Sequence, residues 1–228
     1  LDPATMVVEE YQRKQAILAL SRQRLKRLIT TEARTQCGRR IELLANIELP
    51  EDIKGVVDAG ADGVGLFRSE FLFMNRKEWP SEDEQYEAYR KVIKAMKGKP
   101  VTVRTLDLGA DKTLQFDGAN SSAPPVSSTS ALGLRSIRFS LSEPAIFLTQ
   151  IRALLRAAKH GPIKILLPML TNIRETKQAL AYIDMAREQL LERRFQANQA
   201  VPIGGMIEVP AAALSLPHFL KYLDYVSI

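Results

Sequence analysis

The scarcest residue types narrow the field first. Cys37 is the only cysteine, so no intrachain disulfide can form, and the chain suits a reducing compartment. Its setting, Thr35-Gln36-Cys37-Gly38-Arg39, is polar and reads as surface rather than as the pocket of a nucleophile. No run reaches the roughly 18 to 20 uninterrupted apolar residues of a membrane helix. The opening Leu1-Asp2-Pro3-Ala4, soon followed by Glu9 and Glu10, has neither the basic start nor the apolar core of a signal peptide. No G-x-G-x-x-G follows the first apolar run, which removes the main support for a dinucleotide site. His160 and His218 are the only histidines. Neither stands beside another catalytic residue type, and neither is assigned a role.

What is present describes a globular chain. With 228 residues, 46% of them hydrophobic, it can bury the core of one large domain or a little more. The net charge is +6, and residues 1–40 account for +5 of it, with nine Lys/Arg against four acids. Aromatic residues are not interleaved with those bases, as a single-strand nucleic-acid binder needs. A solvated helix face accounts for the excess, and neither a nucleic acid nor a membrane is expected as partner.

Apolar residues at near-helical spacing (Met6, Tyr11, Ile17, Leu18, Leu25, Leu28) predict one long helix over 3–30. Such a helix ahead of the first strand reads as a connector, the other reading being an arm packed on the domain. From residue 41 the pattern alternates. Strands are expected at 41–47, 63–67, 101–106, 163–167, 203–208 and 225–228, with helical stretches near 51–59, 81–97, 143–159, 172–194 and 210–221. Ser81 with Glu84 forms a candidate capping box, and Asn172 or Thr171 can open the next long helix. Gly161-Pro162 stops the helix before the fourth strand. Residues 117–130, rich in Ser, Pro and Ala, read as a flexible loop.

Near-continuous apolar strands alternating with helices imply an α/β protein with a parallel sheet covered by helices. A (β/α)8 barrel and an open doubly wound sheet both fit. The barrel is favoured because polar residues recur at the ends of successive strands, where barrel enzymes keep their sites. Six strands cannot close one, so the expectation is an incomplete (β/α)8 TIM-type barrel behind a long N-terminal helix.

Arg68 follows the second strand, Arg104 ends the third, and Arg135 follows the 117–130 loop. A guanidinium offers a fixed fork of donors that matches a carboxylate or phosphate edge. Three converging on one spot require an anion of comparable charge, unless each pairs with a nearby acid such as Glu70, Asp107, Asp111 or Glu143. Glu208 is expected to close the fifth strand inside an apolar run, where a carboxylate needs a cation, a proton or a donor. With phosphate nearby, a hard ion such as Mg2+ suits it. Gly204 and Gly205 would let a ligand or a neighbouring backbone come close. The residues thus point to a small, multiply anionic substrate held with a metal ion.

Four segments carry a resemblance. They are Gly60-Ala-Asp-Gly-Val-Gly-Leu-Phe-Arg68-Ser-Glu-Phe-Leu-Phe-Met-Asn-Arg76, Val103-Arg104-Thr-Leu-Asp-Leu-Gly-Ala-Asp-Lys112, Gly133-Leu-Arg135-Ser-Ile-Arg138 and Gly205-Met-Ile-Glu208-Val-Pro-Ala-Ala212. Together, and in this order, they resemble enzyme I, the phosphoenolpyruvate–protein phosphotransferase family of the bacterial sugar phosphotransferase system. The resemblance implies a cytoplasmic, homodimeric protein with a phosphoenolpyruvate-binding barrel. Arg68, Arg104 and Arg135 would grip phosphate and carboxylate, and Glu208 would be one of two Mg2+ ligands. It divides the chain into a linker helix, 1–38, from an upstream phosphohistidine domain, and a barrel, 39–228, cut at the sixth strand. The family's phosphorylated histidine, its second metal ligand and its proton-donating cysteine would lie outside these residues, and Cys37 is no substitute for that cysteine. A histidine-containing phosphocarrier protein would be the partner, reached through the upstream half. The chain alone would be inactive. Two other readings stand beside this one: a dikinase or phosphoenolpyruvate synthase relative, and a non-catalytic phosphoenolpyruvate-binding or dimerisation module.

Overall fold

The computed structural model describes residues 3–74, 76–108, 133–195 and 200–228. The expected loop at 117–130 lies outside the described residues. Six strands form one sheet: β1 (Leu44–Ile47), β2 (Gly63–Arg68), β3 (Val101–Arg104), β4 (Ile163–Leu167), β5 (Ile203–Met206) and β6 (Tyr225–Ser227). Their order in the sheet is their order in the sequence, and every neighbouring pair is parallel. Parallel crossovers are right-handed, so a sheet that always steps the same way keeps its crossovers on one face. A doubly wound sheet would reverse its order at a switch point. This sheet does not. It is a curled half-barrel, the incomplete TIM-type arrangement the sequence favoured.

The helices are α1 (Thr5–Lys26), α2 (Ile53–Asp58), α3 (Glu82–Ala95), α4 (Ile137–Ser142), α5 (Pro144–Ala157), α6 (Ile173–Glu192), α7 (Pro210–Leu214) and α8 (Leu216–Phe219). The capping box at α3 forms as expected: Ser81 Oγ accepts from the Glu84 N–H at 3.2 Å, and Glu84 Oε2 accepts from the Ser81 N–H at 2.8 Å. Asn172 caps α6, accepting from the Glu175 N–H at 3.0 Å. The stretch expected near 210–221 is two short helices. The helix α4 has no counterpart in the sequence reading.

Prolines set the strand starts. Pro100, Pro162 and Pro202 each precede a strand, where a missing N–H costs the ladder nothing. Their carbonyls still accept, from Val64 at 2.8 Å, Val101 at 3.1 Å and Ile165 at 3.0 Å. Sheet and helices bury a common core that includes Phe67, Tyr89, Ile151, Leu154, Ile165 and Ile183. Phe73, Leu106, Leu108 and Phe139 form a smaller cluster beside the strand ends, with Trp79 against it.

The helix α1 forms within the expected span of 3–30. None of its residues is buried, and Met6, Tyr11, Ile17, Leu18 and Leu25 all face solvent. It is therefore not an arm packed on the domain; its apolar residues find no helix or sheet to cover them among the described residues. Just beyond its end the chain approaches the body. Ile29 lies so close to Gly60 that a Cβ there would stand 2.5 Å from the Ile29 Cγ2.

Candidate functional site at the strand ends

The sheet register puts two of the expected arginines side by side. Arg68 and Arg104 are direct partners across the β2–β3 pair, so both guanidiniums leave the C-terminal ends of neighbouring strands at one level. Like charges so placed repel unless neutralised. Acids do this here. Arg68 donates to Glu48 Oε1 at 2.9 Å, in a half-exposed pair just beyond β1. Arg104, only 9% exposed, is bonded to the fully buried Glu70 and lies 3.1 Å from Asp107 Oδ2. The expected excess of unpaired positive charge is thus corrected at two of three arginines. A buried guanidinium is stable only with partners, and here they are Asp107, three residues on, and Glu70, brought in from the end of β2.

A polar lattice behind Arg104 was not legible in the sequence. Ser69 Oγ donates to the Arg104 carbonyl at 2.6 Å. The Gln150 amide, on α5, donates to Ser69 Oγ at 2.9 Å and to the Tyr89 hydroxyl at 3.1 Å. Its Oε1 accepts from the Leu106 N–H at 2.9 Å. Ser69, Tyr89 and Gln150 are all buried, and burial pushes the Tyr89 phenol well above its ordinary pKa. This lattice fixes the backbone from the Arg104 carbonyl to the Leu106 N–H. A Gln at a core position of an amphipathic helix was the available signal, since a buried amide demands partners.

Arg135 differs from the other two. It makes no ion pair among the described residues, and its Nε is buried without a hydrogen-bond partner. It precedes α4, whose second residue Arg138 donates to the Gly133 carbonyl at 2.7 Å and the Met169 carbonyl at 3.3 Å. Next to Arg135, the buried Ser136 donates to Asp107, which ties the start of α4 to the end of β3.

Glu208 corrects the sequence reading in two respects. The strand β5 ends at Met206, so Glu208 stands two residues past it, and it is exposed rather than buried in an apolar run. Past Met206 the chain runs on to an extended Val209, and Pro210 opens α7. One carboxylate oxygen accepts from the Met169 N–H at 2.7 Å. Gly204 and Gly205 also serve another purpose than the one expected. The Tyr225 ring covers Gly204, and a Cβ on Gly205 would stand 2.6 Å from Leu170 and Leu223 side-chain carbons. They make room for core packing, not for a ligand.

The mouth is thereby connected across four strands. Arg68 adjoins Arg104, and Arg104 Nη1 lies 4.0 Å from the Met206 Sδ at the end of β5. Glu208 follows, and through Met169 it joins Arg138 and the segment that carries Arg135. No group of three or more metal-ligating side chains occurs among the described residues, so Glu208 is a single carboxylate with one oxygen engaged. Both histidines sit elsewhere. His160, hydrogen-bonded to the Tyr86 hydroxyl at 2.9 Å, precedes β4, and His218 precedes β6. Residues leading into strands lie at the opposite end of the barrel from the mouth.

Residues 22–228 match the model of the PEP-utilising enzyme family's PEP-binding domain. The chain belongs to that family. Its whole length aligns with proteins named phosphoenolpyruvate-protein phosphotransferase: 52% identical in Cupriavidus necator, 40% in Staphylococcus carnosus and 39% in Bacillus subtilis. The chain spans 39% of the length of each of these relatives. Among its described residues, no helix is long and apolar enough to cross a membrane.

Proposed function

We propose that the strand mouth of this PEP-binding domain holds phosphoenolpyruvate for phosphoryl transfer to a protein histidine, as part of a phosphoenolpyruvate–protein phosphotransferase. The observation that carries the reading is the side-by-side register of Arg68 and Arg104 at the ends of β2 and β3. Two adjacent guanidiniums suit a dianionic phosphate, and Arg135, with its orphaned Nε, suits the substrate's carboxylate. Transfer breaks the bond between phosphorus and the enol oxygen, forms a bond to the histidine nitrogen, and leaves pyruvate enolate to be protonated. Such a loose transition state asks the protein for positioning and charge stabilisation rather than covalent chemistry. The arginines provide both. Their acids hold them in place before substrate arrives, so little reorganisation remains at the moment of reaction.

Glu208 fits a Mg2+ ion as one carboxylate ligand, because Met169 engages one oxygen and leaves the other open. When bound, Mg2+ would draw charge from the substrate's oxygen atoms. The accepting histidine is proposed to belong to another segment of a longer protein, since His160 and His218 face away from the mouth. A homodimer, a histidine-containing phosphocarrier protein as partner, a role at the first step of sugar uptake and a cytoplasmic location belong to the same reading.

Calorimetry of the chain with phosphoenolpyruvate and Mg2+ tests the site. Arg68→Ala is expected to weaken binding about tenfold or more, the worth of a charge-assisted hydrogen bond. Equal binding by that variant would count against the assignment. Incubation with phosphoenolpyruvate and Mg2+ is expected to leave no phosphohistidine on this chain.

A further inference from the structure

Among the described residues, four other than glycine have a positive φ: Lys97, Ser136, Met169 and Arg194. Lys97 and Arg194 directly follow the C-caps of α3 and α6, where a left-handed residue is an ordinary helix ending. Met169 has no such excuse. With φ at 52°, it lies between the end of β4 and Asn172, the N-cap of α6. A left-handed backbone costs a side-chain-bearing residue free energy and persists only where its surroundings require it.

The requirement is visible in its two polar groups. Turning out of the β4 ladder frees the Met169 N–H and C=O to bond sideways. The N–H donates to Glu208 at 2.7 Å, and the C=O accepts from Arg138 at 3.3 Å. Glu208 is exposed and past the end of its strand. Unassisted, it would sample several rotamers and lose that freedom on binding a metal. Arg138 likewise anchors α4, whose preceding turn carries Arg135.

We propose that Met169 is a positioning residue, whose left-handed backbone clamps the Glu208 carboxylate and the Arg138 guanidinium into one geometry at the mouth. The proposal rests on the phosphoenolpyruvate and metal reading of that mouth. It makes the backbone conformation, not the thioether, the property that matters. Glycine and asparagine, which tolerate φ above zero, therefore suffice at 169, and a β-branched residue does not.

The test is binding of Mn2+ to the chain in the presence of phosphoenolpyruvate, followed by electron paramagnetic resonance, with thermal melting of each variant alongside. Met169→Gly and Met169→Asn are expected to bind within about threefold of the wild type. Met169→Val is expected to bind about tenfold or more weakly and to broaden the bound Mn2+ spectrum. Wild-type affinity and spectrum in Met169→Val would overturn the clamp, as would equal weakening in Met169→Gly and Met169→Asn. Should melting show that Met169→Val does not fold, Met169→Thr, the smaller β-branched change, takes its place with the same expected weakening, and wild-type binding by it ends the clamp. A wild-type chain that binds no Mn2+ with phosphoenolpyruvate sinks the underlying site reading. Binding indifferent to residue 169 sinks only the clamp.

Discussion

On the β2–β3 side of the mouth, Arg104 is 9% exposed, meets two carboxylates, and sits on backbone pinned by Ser69 and Gln150. On the β4–β5 side, Glu208 is exposed and rests on one backbone N–H, and Arg135 keeps an orphaned buried Nε. The first side is finished without a ligand. The second holds its groups by single contacts and leaves bonding capacity open. A substitution around Arg104 should therefore register mainly as stability, and one at the half-exposed Arg68 or on the second side mainly as binding.

The largest expected effect is at Arg104. Its removal takes the guanidinium away from the buried Glu70 carboxylate, and should cost about 3 to 5 kcal/mol in urea denaturation. A loss of phosphoenolpyruvate binding in Arg104→Ala would then be ambiguous unless the variant is shown to be folded. Gln150→Leu comes next. It orphans the Leu106 N–H and should cost about 1 to 3 kcal/mol, although Gln150 is buried in the lattice behind the mouth. Little loss in either variant would break the comparison. Arg68→Ala sharpens it from the other direction: its half-exposed pair with Glu48 is worth about 1 kcal/mol or less, so affinity should fall while the melting temperature hardly moves. Glu208→Gln should melt like the wild type and lose any strengthening of phosphoenolpyruvate binding by Mg2+.

The smallest effect is a pH dependence away from the mouth. Hydrogen bonds from the Arg76 guanidinium and from Ser81 hold the Glu84 carboxyl down, to about 2. A depressed pKa means that the capping box contributes above the ordinary carboxylate range, and that its share fades as pH falls towards about 2. Glu84→Gln should flatten the acid limb of the stability curve slightly between those limits. An unchanged limb would show that the box contributes nothing measurable there.

Much of the fold was legible because its signals are local. Strand β4 matches its expected span, and the others start or stop within a few residues of theirs. The Ser81–Glu84 box and the Asn172 cap depend on contacts three residues apart. The helix α4 was missed because Ile137–Ser142 is too short to show a period. At the site, residue type and place carried far: arginines at strand ends, and a carboxylate after Gly-Gly-Met-Ile. The burial of Glu208 was misjudged, because an apolar run says nothing of the point where a strand leaves its sheet. The acids on Arg68 and Arg104 were only half legible. Asp107 stands three residues from Arg104, whereas Glu70, beside Arg68 in sequence, pairs with Arg104 instead, and Glu48 reaches Arg68 across a strand pair.

The sequence by itself determined the alternation of strands and helices, the parallel sheet, and the three arginines and one glutamate that four motifs bring to the strand ends. Those follow from periodicity, caps and side-chain chemistry, which act over a few residues. Only the tertiary structure decided that Arg68 and Arg104 stand in register, that Arg104 is clamped while Glu208 is open, and that Met169 bends its backbone to meet Glu208 and Arg138. These depend on which strand lies beside which and on what is left buried between them. No property of a single segment contains that information.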